Sequence, residues 1–429
     1  MRFIITTIFS TLYLTGFSQE HVVSLEQSKK AAVDYSFSIK NSNLKINSSK
    51  ADVAAAKSDY LPSLSVSGVG LYGFKDFVGA YPPLLEKGVN NFYMASATAT
   101  EAIYAGGKIR TGNELAALQF EVNKVLSRQS VDSVLLTTEQ KYWNIVGLQE
   151  QKKTLVSNAI FLKSLLKQQE DMLASGLIAR NDLLKVKVQL SHLLLNESKL
   201  ENGHRLAVLD FCLYTGMPYD SLLVMKDTLD NSQSPALTDF DPDTSLTNNN
   251  NYQLLIKNVE GEKLQTRLTK GDYLPSVSAG VSATEVGVIK RDLGSSFIPA
   301  AVAIVKIPVS DGLWGRGRQK LKQRAISENI AQNNLIDGSN QLKVGIMKNW
   351  YDVKDGLAEI AYARINVEQA TENLKVNEDN YKAGLAAISD VLDAQAAYQQ
   401  ASSDLINAYA TYESKIASYY YIIGKISGR

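Results

Sequence analysis

The pentapeptide Asp59-Tyr-Leu-Pro-Ser63 recurs letter for letter as Asp272-Tyr-Leu-Pro-Ser276. In both places a stretch of helical spacing ends, because the residue before a proline is pushed out of the α region. In both places the period then changes to two. Leu64 and Val66 alternate with Ser63, Ser65 and Ser67, and Val277, Ala279, Val281 and Ala283 alternate with Ser276, Ser278, Gly280 and Ser282. Such alternation marks a strand with two unlike faces. A chain that repeats so specific a transition is one programme run twice.

Each run carries a second alternating stretch. In the first, Ala95, Ala97 and Ala99 oppose Ser96, Thr98 and Thr100; in the second it falls near 298–309. Strands are expected at 62–74, 92–104, 275–289 and 297–309. Pro62 and Pro275 lead into them, and Gly106, Gly107, Pro308 and Gly312 lead out, Asp311-Gly312 restating Ala105-Gly106. Pro82-Pro83 and Leu293-Gly294-Ser295 lie in the joining loops. At about ten residues each, the strands suit a tilted membrane-spanning β-strand.

Beyond each strand pair the pattern is helical for an unusual length. Over 108–172 there is no proline, and Leu115, Leu118, Val122 and Val125 have the three-four-three spacing of a coiled-coil seam. At 1.5 Å per residue that is a rod of roughly 100 Å, with Gly112 and Gly147 the candidate points for a bend. The stretch 317–382 repeats it, with Leu342, Ile346, Trp350, Val353, Leu357 and Ile360 along one face. Every proline (62, 82, 83, 218, 235, 242, 275, 299, 308) lies outside these helices.

Each long helix is interrupted by a similar turn. Leu173-Ala-Ser-Gly-Leu-Ile-Ala-Arg-Asn-Asp182 aligns with Tyr381-Lys-Ala-Gly-Leu-Ala-Ala-Ile-Ser-Asp390, so Gly176 matches Gly384 and Asp182 matches Asp390. These read as hairpin tips at 174–182 and 383–390, followed by return helices over 183–214 and 390–424. Asp390 stands where a new helix is capped, and Asp393, three residues on, shares its face.

At the N-terminus, Met1-Arg2, an apolar run to Phe17 and the small Ser18 read as a signal peptide over 1–18. No later stretch is long and apolar enough for a membrane helix. The first repeat then covers 19–217, opening with a helix over 22–59; a polar linking segment covers 218–250, the second repeat 251–424 and a short tail 425–429. With 45 Lys+Arg against 44 Asp+Glu there is no basic excess for nucleic acid. Cys212 is the only cysteine, so an intrachain disulfide or a multi-cysteine metal site is excluded, and His21, His192 and His204 do not cluster. No nucleophile-base constellation, phosphate-cradling loop or metal-ligand spacing is present, so neither an enzyme nor a cofactor is expected.

Two strands per repeat give four per chain. Four strands cannot close, and open edges cannot be left in lipid. The smallest outer-membrane barrels have eight, whereas three copies of this chain supply twelve. The expected fold is therefore an α+β membrane protein: coiled-coil helical hairpins joined to a trimeric 12-strand transmembrane β-barrel.

The ordered set of motifs resembles the TolC-type outer-membrane efflux proteins. It comprises Tyr60-Leu-Pro-Ser63 and Tyr273-Leu-Pro-Ser276 before strands, and Gly106-Gly107 and Pro308-Val-Ser-Asp-Gly312 after them. It ends with Gly176-Leu177 and Asp182 at one tip, and Gly384-Leu385 with Ser389-Asp-Val-Leu-Asp-Ala394 at the other. The resemblance implies a homotrimeric duct of a tripartite efflux or type I secretion system, its twelve-strand barrel set in outer-membrane lipid and continuous with a helical barrel of coiled-coil hairpins that extends into the periplasm. Its tips, here Gly176, Leu177, Ile178, Gly384, Leu385 and Ala386, are implied to meet a periplasmic adaptor (a membrane fusion protein) attached to an inner-membrane RND or ABC-type pump. Asp390 and Asp393, with Asp182 in the matching place of the first tip, are implied to narrow the periplasmic entrance. Ala386 and Ala387 stand where some relatives carry polar or basic residues that tie helices together, which leaves Arg180 as a candidate for pairing with an acidic neighbour. The competing reading is an exported helical scaffold of the envelope that binds partners and conducts nothing.

Overall fold

The structure, a computed structural model, describes residues 22–79, 88–229, 242–288 and 294–428. The expected signal peptide, the Pro82-Pro83 loop, Leu293 and the middle of the linking segment (230–241) lie outside the described residues. In chain order the elements are β1 (Val22–Val23), α1 (Leu25–Tyr35), α2 (Phe37–Ser58), β2 (Ser63–Tyr72), β3 (Asn91–Ala105), α3 (Lys108–Ala174) and α4 (Arg180–Thr215). The second half runs β4 (Val224–Met225), α5 (Asn250–Gly271), β5 (Ser276–Gly287), β6 (Ser295–Lys306), α6 (Val309–Leu313), α7 (Arg316–Lys382) and α8 (Ile388–Ile422).

These elements form two compact units. One takes in the chain up to Ser36, Asp132–Pro242 and the chain from Lys348 onward; the other takes in Phe37–Val131 and Asp243–Met347. Each unit thus draws on both sequence repeats.

The second of these units contains one antiparallel sheet in the order β2-β3-β5-β6. Its register sets Leu64, Ala99, Val281 and Ala301 side by side in one row, and Ser65, Thr98, Ser282 and Ala300 in the next. Directly opposed residues share a face, so β2, β3 and β5 sort Leu, Val and Ala from Ser and Thr. The Ser96 and Thr284 hydroxyls lie 3.1 Å apart on the hydroxyl-bearing face. Strand β6 departs from the alternation: Ile298, Ala300, Val302 and Ile304 are apolar on the face where its neighbours are polar. Every residue of β2 and of β6 is exposed, and these two edge strands have no further partner among the described residues. Pro299, which cannot donate to a ladder, is tolerated on the edge strand. Tyr72, Phe74, Phe92, Tyr93 and Phe297 gather at the hairpin end of the sheet, and Tyr60, Tyr104 and Trp314 at the end where the helices join. Aromatic belts at both ends of an exposed apolar band characterise membrane barrels.

At the helix end, Gly106 has φ +64, and a Cβ there would meet the Gly271 carbonyl at 2.4 Å. The start of α3 can pass this close to the end of α5 only because both residues lack side chains. Lys108 then pairs with Asp272 at 3.1 Å.

Helix α3 is unbroken through Gly112 and Gly147. The opening helix, by contrast, is two. Ser36 adopts ψ 122 between α1 and α2, and this is the point where the chain passes from one unit to the other. No proline or glycine announces the break; serine merely competes with the helix through its own backbone hydrogen bonding. The polar linking segment contains β4, which pairs in parallel with β1. The buried Tyr142 hydroxyl donates to the Asp227 carboxylate at 2.7 Å and lies 3.2 Å from the Val23 carbonyl oxygen, fastening this small sheet to α3. Burial first, and the Asp227 carboxylate second, push the Tyr142 hydroxyl pKa well up.

Candidate functional site at the hairpin tips

The tips belong to the first unit, where α3, α4, α7 and α8 pack around one apolar cluster. Leu155, Leu162 and Leu165 from α3, Val186 and Leu193 from α4, and Ile388, Val391 and Leu392 from α8 are all buried in it, with Leu374 and Tyr381 of α7 packed against it. The three-four spacing of these positions is what a helix needs to present one continuous seam.

Both turns close in the same way. The Gly176 N–H donates to the Leu173 carbonyl at 3.0 Å and the Leu177 N–H to that of Met172 at 2.9 Å. At the other tip, the Gly384 N–H donates to Tyr381 at 3.0 Å and the Leu385 N–H to Asn380 at 2.8 Å. This pair of bonds satisfies the last carbonyls of a helix and requires a left-handed residue; Gly176 has φ 72 and Gly384 φ 77. The leucine after each glycine ordinarily folds back on its own helix. Here Leu177 is 71% exposed and Leu385 80% exposed, so each tip presents a bare leucine. Ile178 and Ala386 are half-buried beneath them.

The return helices begin before the positions expected from sequence, at Arg180 and Ile388. Asp182 and Asp390 therefore occupy the third helical position, not the cap itself. The Asp390 carboxylate reaches back to accept the Ala387 N–H at 2.9 Å, satisfying one orphan donor of the first turn. Asp182 instead pairs with Lys185 at 3.3 Å. Asp393 is exposed and makes no ion pair among the described residues. Arg180 is likewise exposed and without an ion pair among them. The nearby charge pair is Lys187 with Glu170, 3.2 Å apart between α4 and α3.

Two polar contacts that the sequence did not single out tie the hairpins together. The Gln169 amide, fully buried, donates to the Tyr381 hydroxyl at 2.8 Å, joining the last turns of α3 and α7. Gln395 donates to the Asn158 side-chain oxygen at 2.7 Å, joining α8 to α3, and both residues are buried. Gln169 continues the heptad of Leu155 and Leu162, so a polar residue at a seam position was the available signal. Such residues fix the register of packed helices.

The strand-flanking residues belong to the other unit. Pro62 and Pro275 immediately precede β2 and β5, and Gly106-Gly107 sits between β3 and α3. Pro308 follows β6, but Gly312 lies inside the five-residue α6. The left-handed glycine that precedes α7, as Gly107 precedes α3, is Gly315, with φ 73. The sequence alignment of Gly312 with Gly106 missed this because α6 is inserted between strand and helix.

No group of His, Cys, Asp or Glu that could hold a metal occurs among the described residues, and no described helix is long and apolar enough to cross a membrane. Cys212 is buried, and burial pushes its thiol pKa up, away from reactivity.

Residues 242–425 match the family model described as Outer membrane efflux protein. Over 432 residues the chain is 23% identical to Outer membrane protein TolC of Escherichia coli (strain K12), covering 94% of this chain and 82% of that protein. Among solved structures it superposes on the outer-membrane channel OprN with a TM-score of 0.78 at 16% identity, covering 94% of this chain and 90% of that one. The Campylobacter jejuni CmeC outer membrane channel gives a TM-score of 0.77 at 15% identity, covering 94% and 86%.

Proposed function

Because this chain is a TolC-like member of the outer membrane efflux protein family, we propose that it is the outer-membrane channel of a tripartite efflux system. Three copies close the four-stranded sheets into a twelve-stranded barrel, and the helical portion extends into the periplasm. The observation that carries this reading is the sheet. Among the described residues its two edges are unpaired and its outer strands are exposed throughout, while aromatic residues cluster at both ends. In water such edges invite aggregation, and in lipid each unmade backbone bond costs several kcal/mol, roughly. Closure with copies of itself removes both penalties. No bond is made or broken in the process: the channel conducts passively, and energy and substrate choice come from its partners.

At the tips, the bare Leu177 and Leu385 are the surface offered to a periplasmic adaptor, which links the duct to an RND or ABC-type pump in the inner membrane. Asp390 and Asp393, with Asp182 beside its lysine, form the narrow periplasmic entrance, where a ring of carboxylates favours cations and resists its own closure.

Reconstitution of the purified protein into planar bilayers tests this. Discrete, trimer-dependent conductance steps are expected, larger or less cation-selective after Asp390→Ala/Asp393→Ala. Trimers that insert but never conduct would leave the envelope-scaffold reading in its place.

A further inference from the structure

The two halves of the duplication differ most where β-strand gives way to long helix. After β3 the chain offers two cations, and both are neutralised: Lys108 by Asp272 at 3.1 Å and Arg110 by Glu114 at 3.0 Å. From the last residue of β6 onward it offers Lys306, Arg316, Arg318, Lys320, Lys322 and Arg324 against a single acid, Asp311. Only Arg324 is ion-paired among the described residues, with Glu262. Lys306, Arg316, Arg318, Lys320 and Lys322 are exposed and make no ion pair there. Directly between the strand and these cations stand Leu313, exposed, and Trp314, 83% exposed. Gly317 is buried, and a Cβ there would meet the Tyr273 ring at 2.9 Å, so the start of α7 packs closely on the turn between α5 and β5 through its glycine while the cations flank that contact.

We propose that this segment is a binding site for anionic phospholipid headgroups at the periplasmic face of the outer membrane, resting on the reading of the sheet as a membrane barrel. The observations select this occupant over another protein for two reasons. The patch is continuous with an edge strand of the sheet, at the end where the helices join, which puts it at the depth of the headgroups facing the periplasm. It also combines an exposed tryptophan with uncompensated cations. Indole prefers the headgroup level, and clustered Lys and Arg attract anionic lipid by about fivefold in partition per charge. The first half, with its cations already neutralised, offers no such site, so the expected stoichiometry is one site per protomer.

The test uses the intact trimer in nanodiscs of phosphatidylcholine with and without phosphatidylglycerol. Native mass spectrometry after release is expected to retain phosphatidylglycerol in preference to phosphatidylcholine. In a Trp143→Phe/Trp350→Phe background, Trp314 fluorescence is expected to be quenched by lipids brominated near the headgroup. Arg318→Gln/Lys322→Gln, and separately Arg316→Gln/Lys320→Gln, should each lower phosphatidylglycerol retention by about 25-fold while trimers still form and conduct. Unchanged retention in both conducting variants overturns the inference and leaves the channel reading intact. So does a Trp314 that is shielded in the trimer whatever the lipid, which assigns the patch to contact between copies. A wild-type protein that fails to insert overturns the channel reading, and this inference with it.

Discussion

Lys185 occupies in the first hairpin the place that Asp393 occupies in the second: each lies three residues beyond the aspartate at the third helical position. Lys185 lies 3.3 Å from Asp182 and cancels its charge. Asp393 leaves Asp390 a second carboxylate on the same face, and both are exposed. Two turns alike in backbone thus carry opposite electrostatics: the start of α4 sets Arg180 and Lys185 against Asp182, and the start of α8 carries Asp390 and Asp393 with no cation.

The asymmetry predicts which tip sets ion preference. Asp393→Lys rebuilds the first hairpin's pair in the second and should lower cation preference roughly twofold or more, read from reversal potentials in a salt gradient. Asp182→Asn leaves the carboxylate face of the second hairpin untouched and should change the reversal potential little. Equal effects from the two substitutions would refute the assignment of the constriction to Asp390 and Asp393.

Removing the Tyr381 hydroxyl strands a fully buried glutamine. Tyr381→Phe should destabilise the hairpin pair by about 1–3 kcal/mol. Gln169→Leu/Tyr381→Phe, which removes both partners, should recover most of the loss. Denaturant unfolding of the four variants completes the cycle, and additive effects would mean that the contact seen between α3 and α7 contributes nothing.

Gly384 has open space around a would-be Cβ, so the cost of a side chain there is conformational alone. Gly384→Ala should cost about 1–2 kcal/mol and Gly384→Asn less, since asparagine tolerates the left-handed region. Thermal melting ranks the two.

Leu385 and Leu177 touch little within the chain, and their removal should scarcely affect folding. Leu177→Ser/Leu385→Ser is expected to shift stability by no more than about 0.5 kcal/mol while abolishing capture of the periplasmic adaptor in a pull-down with the purified partner.

His204 gives the fold a sensitivity to mild acid. It is only 8% exposed, and its Nε2 has no hydrogen-bond partner among the described residues. Burial, and secondarily the Lys152 ammonium, hold its pKa below the ordinary imidazole value. The unfolded chain therefore takes up a proton near pH 6.5 while the folded chain does not, so stability should fall as pH drops below about 6.5. His204→Gln should flatten that part of the profile. Glu201, held low by Lys152 and Arg205, contributes only in the carboxylate range further down, and that loss should persist in the variant.

Much of this architecture was legible because it is periodic. Alternation located the strands, and the absence of proline marked the long helices. What escaped was local and aperiodic. The break at Ser36 carries no residue that forbids a helix, and a strand as short as Val224–Met225 has no period to detect. At the tips, the glycine-leucine turns were plain, but the Gln169–Tyr381 bond joins residues far apart in the chain, and only Gln169's place on an apolar seam hinted at it. The exit from β6 was misaligned for a similar reason: α6 shifts the left-handed glycine from Gly312 to Gly315.

Each compact unit is assembled from both repeats, and Val22–Val23 finds its partner strand only after the first hairpin is complete. The duplication is therefore no longer divisible. Neither repeat contains a whole core, so a half-length fragment should remain unfolded alone yet complement its counterpart when the two are mixed. For the nascent chain this means a long wait. Its earliest strand stays unpaired until about two hundred further residues have emerged and Val224–Met225 is available, the long-range closure that slows folding and lengthens exposure to proteases and chaperones.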